Sequence, residues 1–189
     1  MSAAVSYETR LPLFEKVRTL TIDDSLLRIE EEGVTTEIPL NNVIDVRCRY
    51  QPTRVQLNRY ECLVTAKGGT KLKIGNQFYQ GVADFEERSE DYRKFVVALH
   101  VALATHNPDC IFHSGVSPTS YYLNGAFLIS MILVLAFLLI VLGFSLPTFG
   151  VIKLVLLILL IPYSIKWFFK NKPKNYRPKA IPTDILPAK

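Results

Sequence analysis

The chain has 189 residues, 49% of them hydrophobic, and its mean hydropathy of +0.20 is too high for an average soluble protein. Its 22 basic and 17 acidic residues are unevenly placed: residues 1–120 carry a net charge of −2 and residues 121–189 a net charge of +7. The pI of about 9.1 therefore belongs to the C-terminal part. It does not indicate a basic patch on a folded domain, so nucleic-acid binding is not expected.

Neither the N-terminus nor the cysteines indicate secretion. Residues 1–16 are predicted to be a loosely attached leader, and charged side chains interrupt its apolar residues, unlike those of a signal peptide. The three cysteines, Cys48, Cys62 and Cys110, form no Cys-x-x-Cys pair. In a cytosolic domain they are expected to stay reduced.

Residues 17–75 have the alternating pattern of β-strands. In residues 43–50 the alternation predicts that Ile44, Val46 and Cys48 face inward. Gly68-Gly69 has the composition of a tight hairpin turn. The inward positions of the following strands are predicted to be Tyr60, Cys62, Val64, Leu72 and Ile74, with the cysteines as small core side chains.

Residues 89–106 are predicted to form an amphipathic helix. Ser89 is a suitable N-cap, acidic residues occupy the first turn, and Asn107-Pro108 ends the pattern. The stripe expected to face a sheet consists of Tyr92, Phe95, Val96, Leu99 and Leu103. His100, at its edge, is expected to pack against the domain.

The order of these elements predicts the fold class. About six short antiparallel strands followed by one helix is the order of a pleckstrin-homology-like (PH-like) barrel, and an α+β roll would share it. We therefore predict an α+β domain over residues 17–106, with an antiparallel β roll or barrel capped by the helix.

Two long apolar runs follow a linker at residues 107–120. The first, residues 121–144, has only Asn124 and Ser130 as polar interruptions, and the second covers residues 149–169. A helix needs about 20 residues to cross the hydrocarbon core. The runs therefore predict a transmembrane hairpin, in which Asn124, Gly125 and Ser130 would permit one close helix contact.

The charges around the two runs predict their orientation. The connection between them is uncharged, whereas the tail at residues 170–189 is basic and rich in proline. By the positive-inside rule the tail is cytoplasmic, and two crossings place the N-terminal domain there too, at the bacterial inner membrane. The residues expected at the membrane interfaces are Tyr121, Tyr122, Lys153, Tyr163, Trp167 and Lys170.

The sequence offers few candidates for chemistry. His106, Asp109, Cys110 and His113 have ligand chemistry suited to zinc, but their spacing matches no familiar zinc motif. A polar linker is the simpler interpretation, so no metal and no cofactor are expected. No nucleophile motif, phosphate-binding glycine loop or paired-carboxylate motif points to a catalytic site.

The most suggestive surface feature is a cluster of cations, called here the basic face. Its expected members are Arg47, Arg49, Arg54, Arg59, Lys71 and Lys73, which share one sheet face if their strands are neighbours. Such a face attracts anionic lipid headgroups or a protein partner. It is only a solvated surface if Glu37, Asp45 and Glu61 neutralise it.

The tail also allows two interpretations. Its four prolines prevent a continuous helix, and Ile181, Ile185 and Leu186 supply apolar points. This pattern suits extended docking on the domain or on a partner. The alternative is a disordered tail whose charge only sets the topology.

Three segments carry a resemblance to a protein family: residues 53–60, 81–89 and 175–182, the last with the sequence Asn-Tyr-Arg-Pro-Lys-Ala-Ile-Pro. They resemble those of uncharacterised proteobacterial inner-membrane proteins that place a small β-rich, PH-like domain before a helical hairpin. The resemblance implies that architecture. It implies no activity and no functional residues.

The leading hypothesis is a non-enzymatic bacterial membrane protein whose cytosolic domain binds a protein partner or lipid headgroups. The alternatives are a structural subunit of a larger membrane complex and a membrane-tethered enzyme acting on lipid or peptide. The sequence leaves the oligomeric state open.

Overall fold

A computed structural model of the chain describes residues 4–10, 16–53, 56–81, 84–143 and 147–187. The chain divides into two compact units. The first, the α+β unit, combines Met1–Gly115 with Lys174–Lys189, and the second, the helical unit, is Val116–Pro173. The first unit is therefore built from two segments of the chain that the second separates.

The α+β unit contains two open sheets and a two-stranded ribbon. In chain order its strands are β1 (Val5–Thr9), β2 (Arg18–Asp23), β3 (Leu26–Glu31), β4 (Val34–Pro39), β5 (Val43–Tyr50), β6 (Tyr60–Ala66), β7 (Lys71–Gly75), β8 (Gln77–Gly81), β9 (Asp84–Glu87), β10 (Ile111–Ser114) and β11 (Lys174–Asn175). The sheet orders are β1-β2-β3-β4 and β11-β10-β5-β6-β7, while β8 pairs with β9. All these pairs are antiparallel except β10 with β5.

The predicted α+β class is confirmed, but the sheets stay open and do not close into a barrel. The N-terminal segment differs from the expected loose leader, because residues 5–9 pair with β2 along their whole length. Tyr7 on this strand is buried, and its hydroxyl donates a 2.6 Å hydrogen bond to the carbonyl oxygen of Gly75.

One inward position was predicted wrongly. The register of β5 against β6 shifts between Val43 and Asp45. A bulge of this kind adds one residue to a strand and reverses the side-chain alternation beyond it. Val43 consequently lies in the core, and Ile44, expected inside, is 46% exposed.

Helix α1 (Ser89–His106) packs on the sheets through the predicted stripe, all five members of which are buried. Ser89 is its first residue rather than a capping residue before it. At the other end, the Asn107 side-chain amide donates to the carbonyl oxygens of Leu40 and Val43, at 2.9 and 2.6 Å. This buried amide fixes the end of α1 against the start of β5.

The tail folds back onto the α+β unit. Its strand β11 forms the edge of the second sheet and pairs with β10, which lies within the expected linker. The Tyr176 hydroxyl lies 2.7 Å from Nε2 of the buried His100. Further along, Ile185 and Leu186 are buried in the same core as both sheets, and the Arg93 guanidinium donates to the carbonyl oxygen of Pro187 at 3.2 Å. The tail therefore completes the core.

The helical unit contains α2 (Pro118–Gly143) and α3 (Pro147–Asn171). The two helices contact each other where Tyr121 meets Phe168 edge-on, with ring centroids 5.5 Å apart. Because this contact joins the start of α2 to the end of α3, the helices run in opposite directions. Among the described helices, α2 is long and apolar enough to cross a membrane: Pro118–Val141 has 24 residues and a mean hydropathy of 2.6.

Candidate functional site

The outer face of the sheet β5-β6-β7 carries most of the predicted cations. In the register of these strands, Arg47 lies opposite Leu63, which lies opposite Lys73. Neighbouring strands are about 4.8 Å apart, so two strand spacings place these two cations on one row about 10 Å wide. Lys71 lies opposite Thr65 on the next row. The strands are therefore neighbours, as the basic face requires.

A buried carboxylate lies within this face. Glu61 is only 1% exposed, although its position on β6 points outward. Its Oε2 accepts hydrogen bonds from Nη2 and Nε of Arg49 at 2.7 and 2.9 Å, and Lys73 Nζ is 3.5 Å from Oε1. Two cations therefore cover Glu61 and are partly neutralised by it.

A second acidic residue is paired at the other side of the face. Nε2 of His113 on β10 lies 3.0 Å from Oδ1 of Asp45 on β5. The other ring nitrogen, Nδ1, is 2.6 Å from Oδ1 of Asn175 in the tail strand. His113 thus joins the sheet face to the tail.

The remaining predicted members of the basic face are more dispersed. Arg59 precedes β6 and is half-buried, with its carbonyl oxygen bonded to the amide of Gln51. Arg54 lies outside the described residues. Glu37, considered as a neutralising partner, belongs to the other sheet, where it pairs with Arg28 at 3.2 Å.

The face has a net positive charge and exposed aliphatic side chains. Its four cations on β5 and β7 and its two carboxylates leave a net charge of +2 with His113 neutral. Ile111 on β10 is exposed, as is Ile44 beside it in the bulge. Cations interspersed with aliphatic groups can contact an anionic surface through charge and apolar contact together.

The expected membrane-interface residues lie on the two long helices. Tyr121 contacts Phe168, while Tyr122 is exposed. Lys170 is half-buried near the end of α3. Lys153, Tyr163 and Trp167 are also on α3, but their side chains lie outside the described residues.

The linker residues with metal-ligand chemistry take separate roles. His106 ends α1 and is exposed, Cys110 is buried, and His113 pairs with Asp45. Within the described ranges, no group of three or more His, Cys, Asp or Glu side chains is arranged to hold a metal ion.

Sequence reasoning missed the burial of Glu61 and its two-cation environment. The alternation placed Glu61 outside, and only the register of the strands brings the two long side chains of Arg49 and Lys73 over it. An acidic residue flanked across both neighbouring strands by Arg and Lys is the signal that could have suggested this cluster.

Comparisons with protein-family models, with curated proteins and with solved structures find no match for this chain.

Proposed function

We propose that this chain is a two-pass membrane protein whose α+β domain is a non-enzymatic binding module for anionic lipid headgroups at the cytoplasmic face of the bacterial inner membrane. The observation that carries the proposal is the shared face on which Arg47, Arg49, Lys71 and Lys73 meet. The strand-then-helix order of the domain supports a distant PH-like relationship.

Two crossings are supported by the pairing of the tail. Strands β10 and β11 flank the helical unit in sequence and are hydrogen-bonded to each other. Both must lie on one side of a membrane, so the chain between them crosses it an even number of times. Since α2 has the properties of a membrane span, α3 is the segment that returns; its 25 residues would extend about 37 Å.

The cytoplasmic orientation is supported by the charges beside α3. Residues 166–179 carry six Lys or Arg, whereas residues 142–149 carry none. Short loops with an excess of Lys and Arg remain in the cytoplasm. Because β11 pairs with β10, the orientation of the tail also fixes that of the whole α+β domain.

Headgroups are favoured over a soluble ligand by the chain connections. Only residues 115–117 separate β10 from α2, and only residues 172–173 separate α3 from β11. If a bilayer holds the helices, the sheet that carries the basic face is therefore connected to them by only a few residues at each end. Basic residues near such a surface contribute about 1 kcal/mol each.

Charge reversal on the basic face tests this function. The full chain, in neutral detergent, would be titrated with short-chain phosphatidylglycerol and with phosphatidylcholine of equal chain length. We expect R47E with K71E to weaken phosphatidylglycerol binding about 30-fold or more, since two favourable contacts are lost. Higher salt should weaken binding of the original chain in the same direction.

The matched control is K16E with K94E, which reverses two exposed lysines that pair with Glu32 and Glu90 away from this face. Exposed pairs contribute less than about 1 kcal/mol, so the control should fold and bind normally. Equal affinity for both headgroups, or equal loss in both double variants, would contradict the proposal.

Topology has its own test. In intact cells, a membrane-impermeant maleimide should label S145C, between the helices, and should label K179C only after the cells are opened. Labelling of K179C from outside intact cells would overturn the cytoplasmic orientation.

A structural-subunit function is the second candidate, favoured by a groove of about 340 Å³ beside α1. Its walls include Val5, Ile22, Ala98, Val101 and Ala102, and Val101 is also exposed at the surface. Stoichiometric co-purification of a second protein in mild detergent, lost in V101D but retained in R47E/K71E, would favour this function over headgroup binding.

A further inference from the structure

Two buried cysteines face each other across neighbouring strands. Cys48 on β5 lies directly opposite Cys62 on β6. Both are fully buried and therefore face the same core. Cys110, the third cysteine, is on a separate segment before β10.

The hydrogen bonds around this pair show which kind of antiparallel pair it is. The Gln51 amide donates to Arg59, directly across the two strands, so that pair is hydrogen-bonded. Such pairs alternate with non-hydrogen-bonded ones. Three positions before the hydrogen-bonded pair of Gln51 and Arg59, the alternation makes Cys48 and Cys62 a non-hydrogen-bonded pair.

Bonds on the outer sides of both strands agree with this assignment. The carbonyl oxygen of Cys48 accepts from the Gly115 amide at 2.8 Å, away from β6. The Tyr60 carbonyl, two residues before Cys62, accepts from Asn76 on the side of β7. In a strand, backbone groups two residues apart point to the same neighbour, so Cys62 also directs its backbone bonds away from β5.

This geometry suits a covalent bond between the two sulfurs. Cα atoms of a non-hydrogen-bonded pair are about 4.5 Å apart, within the range of about 4.4–6.8 Å found for disulfides. The side chains of such a pair also approach each other more closely than those of a hydrogen-bonded pair. No backbone movement is needed to join them.

The tail lies beside this pair through Tyr176. His100 Nδ1 is 2.7 Å from the Val96 carbonyl and donates to it, which leaves Nε2 to accept from the Tyr176 hydroxyl at 2.7 Å. Both groups also lower the pKa of the Cys48 thiol. Tyr176 stacks on His100 and contacts the Phe112 ring, so it covers this part of the core.

The two thiols are chemically unequal. The hydrogen bond from Cys62 lowers the pKa of the Cys48 thiol, with His100 adding to the effect. Cys48 in turn, together with burial, raises the pKa of Cys62. Thiolates react with oxidants faster than thiols, which favours Cys48 over Cys62 for the first step.

We propose that Cys48 and Cys62 form a peroxide-sensitive redox pair that closes to a disulfide when the tail segment around Tyr176 is released. Hydrogen peroxide transfers one oxygen to the Cys48 thiol, which becomes a sulfenic acid as the first water leaves. The Cys62 sulfur then attacks the Cys48 sulfur, the S–S bond forms, and the hydroxyl leaves with the Cys62 proton as a second water. Two thiols lose two electrons and two protons, and one peroxide is reduced to two waters.

The disulfide is tested by counting thiols. The reduced full chain in detergent would be treated with hydrogen peroxide, quenched in acid, denatured and alkylated with a maleimide. We expect alkylation to fall from three sites to one, and a peptide map to join Cys48 to Cys62. The C110S variant should also lose two sites, and C62S, which keeps a hydrogen-bond donor beside Cys48 but no second thiol, should form a sulfenic acid at Cys48 that a 1,3-diketone traps. Retention of all three thiols, or a link to Cys110, would overturn the pair.

The role of the tail is tested with Y176F, which keeps the ring but removes the hydrogen bond to His100. Losing one such bond should raise the population of the opened tail, and hence the oxidation rate, about fivefold. The control is K179A, an exposed change in the same segment, with an expected unchanged rate. An unchanged oxidation rate in Y176F would overturn the requirement for tail release. The number of alkylated thiols tests separately whether the disulfide forms.

Discussion

The α+β unit and the helical unit place their apolar side chains in opposite ways. In the α+β unit, both sheets, α1 and the tail enclose one common core. In the helical unit, large apolar side chains such as Leu123, Phe127 and Phe137 are more than half exposed along α2. Exposed apolar area costs about 25 cal/mol per Å² in water. The comparison teaches that α2 leaves its apolar side chains exposed, whereas the α+β unit encloses its own in a core.

The units also differ in how the chain enters them. The helical unit is one continuous segment, whereas the α+β unit requires residues from both sides of it. In the helical unit, the two helices that contact each other are consecutive elements of the chain. The α+β core instead depends on contacts such as that of the tail segment Thr183–Ile185 with β5, more than 130 positions away. Its stability should therefore be sensitive to changes in the distant tail.

The largest expected effect comes from the tail. Changing Ile185 to Ala should destabilise the α+β unit by about 2–5 kcal/mol, because this fully buried side chain would leave a cavity. Thermal unfolding of the full chain in detergent, followed by near-UV circular dichroism, measures the loss. The exposed K179A change should have almost no effect. Unchanged unfolding in I185A would show that the tail does not complete the core.

An intermediate effect is expected between the two long helices. A Cβ added at Gly125 would lie 3.0 Å from Cε1 and Cζ of Phe168, closer than normal packing permits. We expect G125V to weaken the contact of α2 with α3 by about 1–3 kcal/mol. A126V, at the neighbouring exposed position, is the control.

Cysteine cross-linking between added cysteines near the start of α2 and the end of α3 would measure this contact. Reduced cross-linking in G125V with normal unfolding of the α+β unit is the expected result. If the α+β unit unfolds equally early in G125V, the two units do not differ in the way described here.

The smallest expected effect is a pH dependence confined to the α+β unit. Burial raises the pKa of Tyr7 and that of Tyr92 above the usual value. Because the folded-state pKa values are the higher ones, this contribution to stability is fully present below about pH 10, the usual pKa of tyrosine. It is lost as the pH rises above that value, since the unfolded chain ionises first.

The Y7F variant isolates one of these groups. At neutral pH its free energy of unfolding should be lower by about 1 kcal/mol, because the hydrogen bond to the Gly75 carbonyl is removed. Between pH 10 and 11 its unfolding temperature should fall less steeply than that of the original chain. A steeper fall would contradict the assigned sign. Y122F, at an exposed position on α2, is the control.

Local patterns predicted the elements that depend on neighbouring residues. The stripe of α1 was correct at every position because a 3.6-residue period decides which side chains face a sheet. The prediction for Ile44 failed because a bulge breaks the period of two. Nothing in residues 43–45 alone indicates that Val43 fills the place opposite Ala66.

Long-range pairing was less accessible to sequence reasoning. The segment of residues 5–9 is short, contains Glu8 and is followed by Arg10, so its place as a strand depends on β2 and on the buried Tyr7. The tail left two interpretations open, since Ile185 and Leu186 are apolar but widely separated from the core in sequence. The cations on β5 and β7 could be predicted to share a face, whereas the buried Glu61 between them required the register.

The pairing of β10 with β11 has a consequence for the order of events during synthesis. When Gly115 leaves the ribosome, the strand that will cover β10 has not been made. At an elongation rate of about 5–20 residues per second, Lys174 is added about 3–12 seconds after Gly115. Residues 1–115 therefore wait with an incomplete core while both long helices are made. A nascent chain interrupted before β11 is made would leave that core open to chaperones and proteases.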